Sequence, residues 1–367
     1  MASDKDIMNP ENFIITSSPY LRQAKNTRMI MLDVLIALLP CVLAATIIYG
    51  TRSLLITLVA VAFAVLSEGL SRRVMKRPQT IGDLSAVVTG VILALNLPID
   101  IPLWQVALGS VFAIVICKQI FGGLGQNIFN PAMVTRIAMM SAFSASFMTA
   151  SRPVQWILDR FPDVIAESTA SATSSATAAA TMDALSNPTP LQHFKDSGEL
   201  FDNVNNIFVN VFLGAHDTLA IGETCIAAIL IGGAYLLLRG VIKFYIPVTY
   251  IGTVALLSLI YGGFDPSFVG FQMLVGGLLF AAFFMATDYA SSPLTNAGKV
   301  VYGIGLGLIT CFIRFWGSLP EGVSYSIIIM NILTPHIDRW TRHKAFGQRE
   351  KEEMDKDKAK AKEAKHV

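Results

Sequence analysis

Residues 29–49 read MIMLDVLIALLPCVLAATIIY and residues 53–70 read SLLITLVAVAFAVLSEGL, with only Gly50-Thr51-Arg52 between them. Runs of this length and apolarity match the roughly 20 residues that a helix needs to cross the hydrocarbon layer. Further apolar runs follow at about 84–98, 103–120, 132–149, 221–238, 244–262, 268–286, 300–316 and 323–337. The pattern predicts an all-α polytopic membrane protein with about ten transmembrane helices. Runs near 15 residues are short for a plain span, which predicts tilted or broken helices buried among their neighbours.

Composition agrees. Of the 367 residues, 53% are hydrophobic and 15% are charged, against roughly 25% charged in soluble domains. Such a chain has too little polar surface to wet a globular exterior. No basic patch with interleaved aromatics stands outside the span flanks and the tail, so nucleic-acid binding is disfavoured. Cys41, Cys117, Cys225 and Cys311 lie singly in apolar runs, without metal-ligand spacing, and read as small core residues. No metal site is expected.

The polar first 28 residues carry Arg22, Lys25 and Arg28 into the first run, which predicts a cytoplasmic N-terminus. Arg72, Arg73, Lys76, Arg77, Lys118, Arg239, Lys243, Lys299 and the C-terminal tail fall on that same side when ten spans are counted. The predicted organisation is a cytoplasmic segment (1–28), a five-span half (29–149), an extracytoplasmic segment (150–220), a second five-span half (221–338) and a cytoplasmic charged tail (339–367). Five spans on each side of an external segment give halves of opposite orientation, the arrangement of inverted repeats. The third span of each half ends in a polar, proline-containing break, at Asn96-Leu97-Pro98 and at Asp288 through Pro293. Asp33, Glu68, Arg136 and Arg314 lie inside spans near their ends and read as snorkelling side chains. Gly303, Gly305 and Gly307 read as a close-packing stripe.

Three stretches carry candidate chemistry. In Met182-Asp183-Ala184-Leu185-Ser186-Asn187-Pro188-Thr189-Pro190-Leu191 the prolines hold the chain extended around one hydroxyl, which reads either as a turn or as an accessible acceptor. Gly122 through Met133, GGLGQNIFNPAM, offers glycines for tight turns and Asn amides for carbonyls or a polar ligand. It reads as a structural re-entrant turn or as part of a site, and it lacks the Gly-Lys-Ser/Thr of a phosphate loop. Ala286 through Thr295, ATDYASSPLT, places Asp288 at a helix end, where it is a cap or part of an ion or proton route.

These stretches resemble the D subunit of Rnf complexes and the related B subunit of sodium-pumping NADH:quinone reductases. That family carries an external motif like D-G-x-S/T-G-A-T-P-L, whose threonine a flavin transferase esterifies to the phosphate of FMN. This chain matches it at Asp183, Ser186, Thr189, Pro190 and Leu191, and departs at Ala184, Asn187 and Pro188. Thr177 in Ser174-Ser175-Ala176-Thr177 is the alternative acceptor. The resemblance extends through the GGxGxNxxNPA-like stretch, the Asp288 stretch, Pro320 through Ser326, Met330-Asn331-Ile332 and Pro335 through Gly347.

The resemblance implies a multi-pass subunit of the cell (inner) membrane, not catalytic alone, in a complex that passes electrons between ferredoxin and NAD while moving Na⁺ or H⁺. It implies covalent FMN on Thr189, with Asp183, Ser186, Pro190 and Leu191 presenting the loop. Implied partners are the other Rnf subunits, the flavin transferase and the bilayer. Gly123, Gly125, Asn127, Asn130 and Asp288 are the candidates for a second, non-covalent flavin such as riboflavin, or for an ion route. The rival readings are the quinone-reductase B subunit and a secondary transporter or channel for a small polar solute, for which inverted repeats with broken spans are a known architecture.

Overall fold

The computed structural model describes residues 26–147, 220–317 and 322–341, and the regular structure among them is helical. The longer helices are α1 (Thr27–Tyr49), α2 (Thr51–Val74), α3 (Ser85–Leu95), α4 (Leu103–Gln119), α5 (Pro131–Ala142), α6 (Ile226–Leu238), α7 (Tyr245–Tyr261), α8 (Pro266–Leu274), α9 (Leu278–Met285), α10 (Asn296–Trp316) and α11 (Val323–Thr341). Among the described residues, α1, α2 and α10 are each long and apolar enough to cross a membrane. The pair α8 and α9 qualifies as a fourth span, bent by 61° at its break.

The sides of α1 show why this is a membrane protein. Asp33, Ala37, Cys41 and Ala45 are buried, while Leu32, Ile36, Leu39, Leu43 and Ile47 face outward. Helix α2 repeats the arrangement, with Ser53, Ala60, Ala64 and Glu68 inside and Leu58, Leu66 and Leu70 outside. Leu38 and Ile56 are buried as well, but rows of leucine and isoleucine facing outward while Asp33, Ser53 and Glu68 face inward reverse the soluble pattern and suit lipid. Small residues also let backbones approach: a side chain on Gly232 of α6 would collide with the Ala37 carbonyl of α1. Gly303 and Gly307 of α10 face Thr249 and Thr253 of α7, and Gly305 faces Met330 of α11, so the glycine stripe is a packing face.

The packing partners repeat between halves. Helix α2 packs on α3 and α4, and α4 packs on α5; α7 packs on α8 and α10, and α10 packs on α11. Across the halves α1 meets α6, and α5 meets α11.

Local chemistry places the ends. Asn130 caps α5, its side chain accepting the Ala132 N–H with Pro131 in the first helical position, and Asp265 and Pro266 begin α8 in the same way. The apolar run 268–286 reads as one element and is two. Gly276 and Gly277 have positive φ (79° and 67°) and stop α8 at Leu274. Arg314 of α10 serves the freed carbonyls, donating to Gln272 O (2.6 Å), Val275 O (3.1 Å) and Gly276 O (3.0 Å). At the other side of the break the Glu223 carboxylate lies against Gly277, leaving no room for a Cβ there. A cation thus meets the carbonyl end of α8 and an anion the amide end of α9, the arrangement that helix dipoles favour.

The charged residues inside spans are corrections to the snorkelling expectation. Asp33, Glu68, Arg136 and Arg314 are all buried. Each carries hydrogen bonds or an ion pair from another element instead of reaching water. Unpaired charge at membrane depth is costly, so pairing wins over extension. Lys118 and Arg72, expected at solvent-facing flanks, are likewise buried.

Candidate functional site

A cavity of about 90 Å³ opens where the two halves meet. Its walls come from α1 (Met31, Val34), α3 (Ser85, Val88, Thr89, Ile92), the 122–132 stretch (Leu124, Asn127, Asn130, Ala132), the α6–α7 turn (Val241, Ile242) and the 283–289 stretch (Phe283, Thr287, Asp288). Two sequence-predicted stretches far apart in the chain therefore share one site. Asn127, Asn130 and Asp288 line it; Gly123 and Gly125 are not among its lining residues. Gly122, Gly123 and Gly125 have φ of 128°, 108° and 83°, so they turn the backbone that presents the asparagines. A Cβ on Gly123 would also collide with the Arg72 guanidinium.

The polar groups are held by specific bonds. Asn127 Nδ2 donates to Phe129 O (2.9 Å), and Asn130 Nδ2 donates to Met285 O (3.2 Å) at the end of α9. In the orientation that satisfies both ends of the amide, Asn331 of α11 donates to the Tyr302 hydroxyl (2.6 Å) and accepts the Asn130 N–H (3.2 Å). Ser291 Oγ donates to Asp288 Oδ2 (3.1 Å). Burial pushes the Asp288 carboxyl above the ordinary carboxylate range, while hydrogen bonds from Ser291, Asn127 and the Ala290 and Tyr289 backbone act the other way. Tyr289 donates its hydroxyl to the Val241 carbonyl, tying the 286–295 stretch to the α6–α7 turn.

Lys118 supplies the cavity's cationic side chain. Sequence reading missed it by treating it as a flanking charge. Residues Val115–Gln119 form a π turn, a wider turn that recurs at functional sites. Within it Lys118 Nζ (3.1 Å) and Gln119 Nε2 (2.9 Å) both donate to Glu68 Oε1. Lys118 also donates to Ser85 Oγ (2.6 Å) at the head of α3. The only sequence signal is a Lys-Gln pair closing an apolar run.

A second missed cluster lies one helical turn deeper. Arg136 Nη1 of α5 donates to Asn96 Oδ1 (3.1 Å), just beyond α3, and to Glu223 Oε1 (3.2 Å), just before α6. All three residues are buried. The Ile221 N–H donates to Leu97 O (3.0 Å), which ties the α3 break to the segment that carries Glu223.

Asp183, Ser186, Thr189, Pro190, Leu191 and the alternative Thr177 lie outside the described residues. Among the described residues no group of three or more His, Cys, Asp or Glu is placed to hold a metal ion.

A family model described as the NQR2, RnfD, RnfE family matches residues 14–347. The D subunit of the Na(+)-translocating ferredoxin:NAD(+) oxidoreductase complex of Acetobacterium woodii is 41% identical over 341 residues, 93% of this chain and 97% of the relative. The D subunit of the proton-translocating ferredoxin:NAD(+) oxidoreductase complex of Clostridium ljungdahlii is 38% identical over 345 residues, 92% of this chain and 97% of that one. The D subunit of the ion-translocating oxidoreductase complex of Salmonella typhi is 34% identical over 351 residues, 92% and 99% of the two chains.

Proposed function

Because the chain belongs to the NQR2, RnfD, RnfE family, we propose that it is the D-type membrane subunit of an Rnf complex, which couples electron transfer between ferredoxin and NAD to the movement of Na⁺ or H⁺. The observation that carries this reading is similarity along nearly the whole length of such D subunits rather than at one motif. Covalent FMN on Thr189 belongs to the same reading. A flavin accepts electrons singly or in pairs, and the protein's share is to place and tune it. The other Rnf subunits and the flavin transferase are the proposed partners, and the cell (inner) membrane is the proposed location.

Ten spans in two inverted halves also belong to this reading. The repeated packing order supports them, because α1 on α6 and α5 on α11 are each a contact between equivalent positions, as a two-fold relation requires. With this count both termini are cytoplasmic and Thr189 is external. Cysteine labelling in intact cells tests the topology. A cysteine at Ser186 should react with a membrane-impermeant maleimide without lysis; reaction only after lysis would reverse the assignment.

The cavity is proposed as the cytoplasmic vestibule of the ion route. Its volume of about 90 Å³ has room for water and a small monovalent cation. A second reading, a riboflavin-type ring, is favoured by the apolar walls of Phe283, Val88 and Ile92 with polar groups at the edge.

Asn127→Leu and Asp288→Leu should each reduce coupled turnover while covalent flavin on Thr189 stays fully loaded. Non-covalent flavin extracted from the purified complex separates the two readings: unchanged content supports the ion route, and its loss supports the bound ring. If both variants pump at the normal rate with unchanged flavin, the cavity has neither role.

A further inference from the structure

On two helices, the residue four positions beyond a cavity-lining residue belongs to the Arg136 cluster. On α3, Ile92 lines the cavity and Asn96 follows; on α5, Ala132 lines it and Arg136 follows. Four residues of helix rise about 6 Å. On α9, Phe284 lines the cavity and Gly277, against the Glu223 carboxylate, begins the same helix. Three separate elements therefore run from the vestibule to one buried point where the breaks of both halves meet.

At that point two oxygens, Glu223 Oε1 and Asn96 Oδ1, converge on Arg136 Nη1 at 3.2 and 3.1 Å. A carboxylate and an amide carbonyl are the hard oxygen ligands that alkali and alkaline-earth cations take. The guanidinium nitrogen occupies the position where such a cation would sit.

We infer that Glu223 and Asn96 form an internal site for a monovalent cation, Na⁺ or a proton, and that Arg136 is a tethered cation that holds this site closed between transport events. The inference rests on the ion-route reading of the cavity. The entering cation takes the Glu223 carboxylate as Arg136 releases it, and Arg136 returns as the cation leaves. The buried carboxylate is paired in both states, and the occupied cluster carries one more positive charge than the closed one, which favours expulsion of the cation when Arg136 returns. Arg136 is a positioning residue in this account. The cation's ligands are on Glu223 and Asn96.

The test uses the whole complex in sealed proteoliposomes with no electron donor, under an imposed Na⁺ gradient or an imposed pH gradient. Arg136→Gln should assemble with its covalent flavin and raise passive flux about tenfold or more, as a barrier lowered by ~1.4 kcal/mol does. Flux of ²²Na⁺ identifies Na⁺, and collapse of the pH gradient identifies the proton. Passive flux at the wild-type level in both arms overturns the inference.

Should Arg136→Gln fail to assemble, Asn96→Ala removes one oxygen and keeps the ion pair. Its half-saturating cation concentration in coupled transport should rise several-fold, and an unchanged value overturns the inference. A wild-type complex that moves neither ion during electron transfer would instead defeat the proposed function, and the passive-flux result would still be read independently.

Discussion

Replacing Thr189 by valine should leave an assembled complex whose D-type chain carries no covalent FMN and whose electron-driven cation transport falls to background. The reason is chemical: a phosphoester needs a side-chain oxygen, and valine keeps the branched shape while removing it. In-gel flavin fluorescence of the denatured chain and ferredoxin-dependent NAD⁺ reduction in membrane vesicles are the two readouts. Thr189→Ser, which keeps an oxygen, should retain part of the fluorescence. Full fluorescence in the valine variant would move the acceptor elsewhere in the chain.

The second large effect is structural. Lys118→Met should lower the stability of the chain, by up to about 3–5 kcal/mol, because it takes the nearest cation from the buried Glu68 carboxylate and leaves it Gln119 at 2.9 Å and Arg72 at 4.0 Å. The Glu68 side chain has no exposed surface, and Lys118 meets it at 3.1 Å. The double replacement Lys118→Met with Glu68→Leu should recover most of the loss, since an apolar pair of similar volume is often as stable as the ion pair it replaces. The thermal aggregation midpoint in detergent measures both. A single variant as stable as wild type would show that Glu68 does not depend on this partner.

Local features were legible in the sequence. Asn130-Pro131 and Asp265-Pro266 each announce a helix start, because cap chemistry is set by neighbours in the chain. Most of the apolar runs form helices at nearly their expected bounds, and α11 passes the expected end of the second half by three residues, to Thr341. Asn127, Asn130 and Asp288, singled out in two separate stretches, line one cavity.

Pairing across the chain was not legible. Glu68 and Lys118 are 50 residues apart, and Arg136 and Glu223 are 87 apart. Nothing in the local pattern distinguishes a charge that snorkels from one that finds a buried partner. The break at Gly276-Gly277 was hidden for a different reason. Two glycines inside an apolar run are equally compatible with close helix packing, and only their positive φ makes them a break.

Peptide mass mapping of the wild-type chain, purified from cells that contain the flavin transferase, decides where the flavin sits. FMN joined through its phosphate to Thr189 is expected, on the peptide that also contains Asp183 and Ser186. FMN on Thr177, or a chain with no covalent flavin at all, would contradict that assignment.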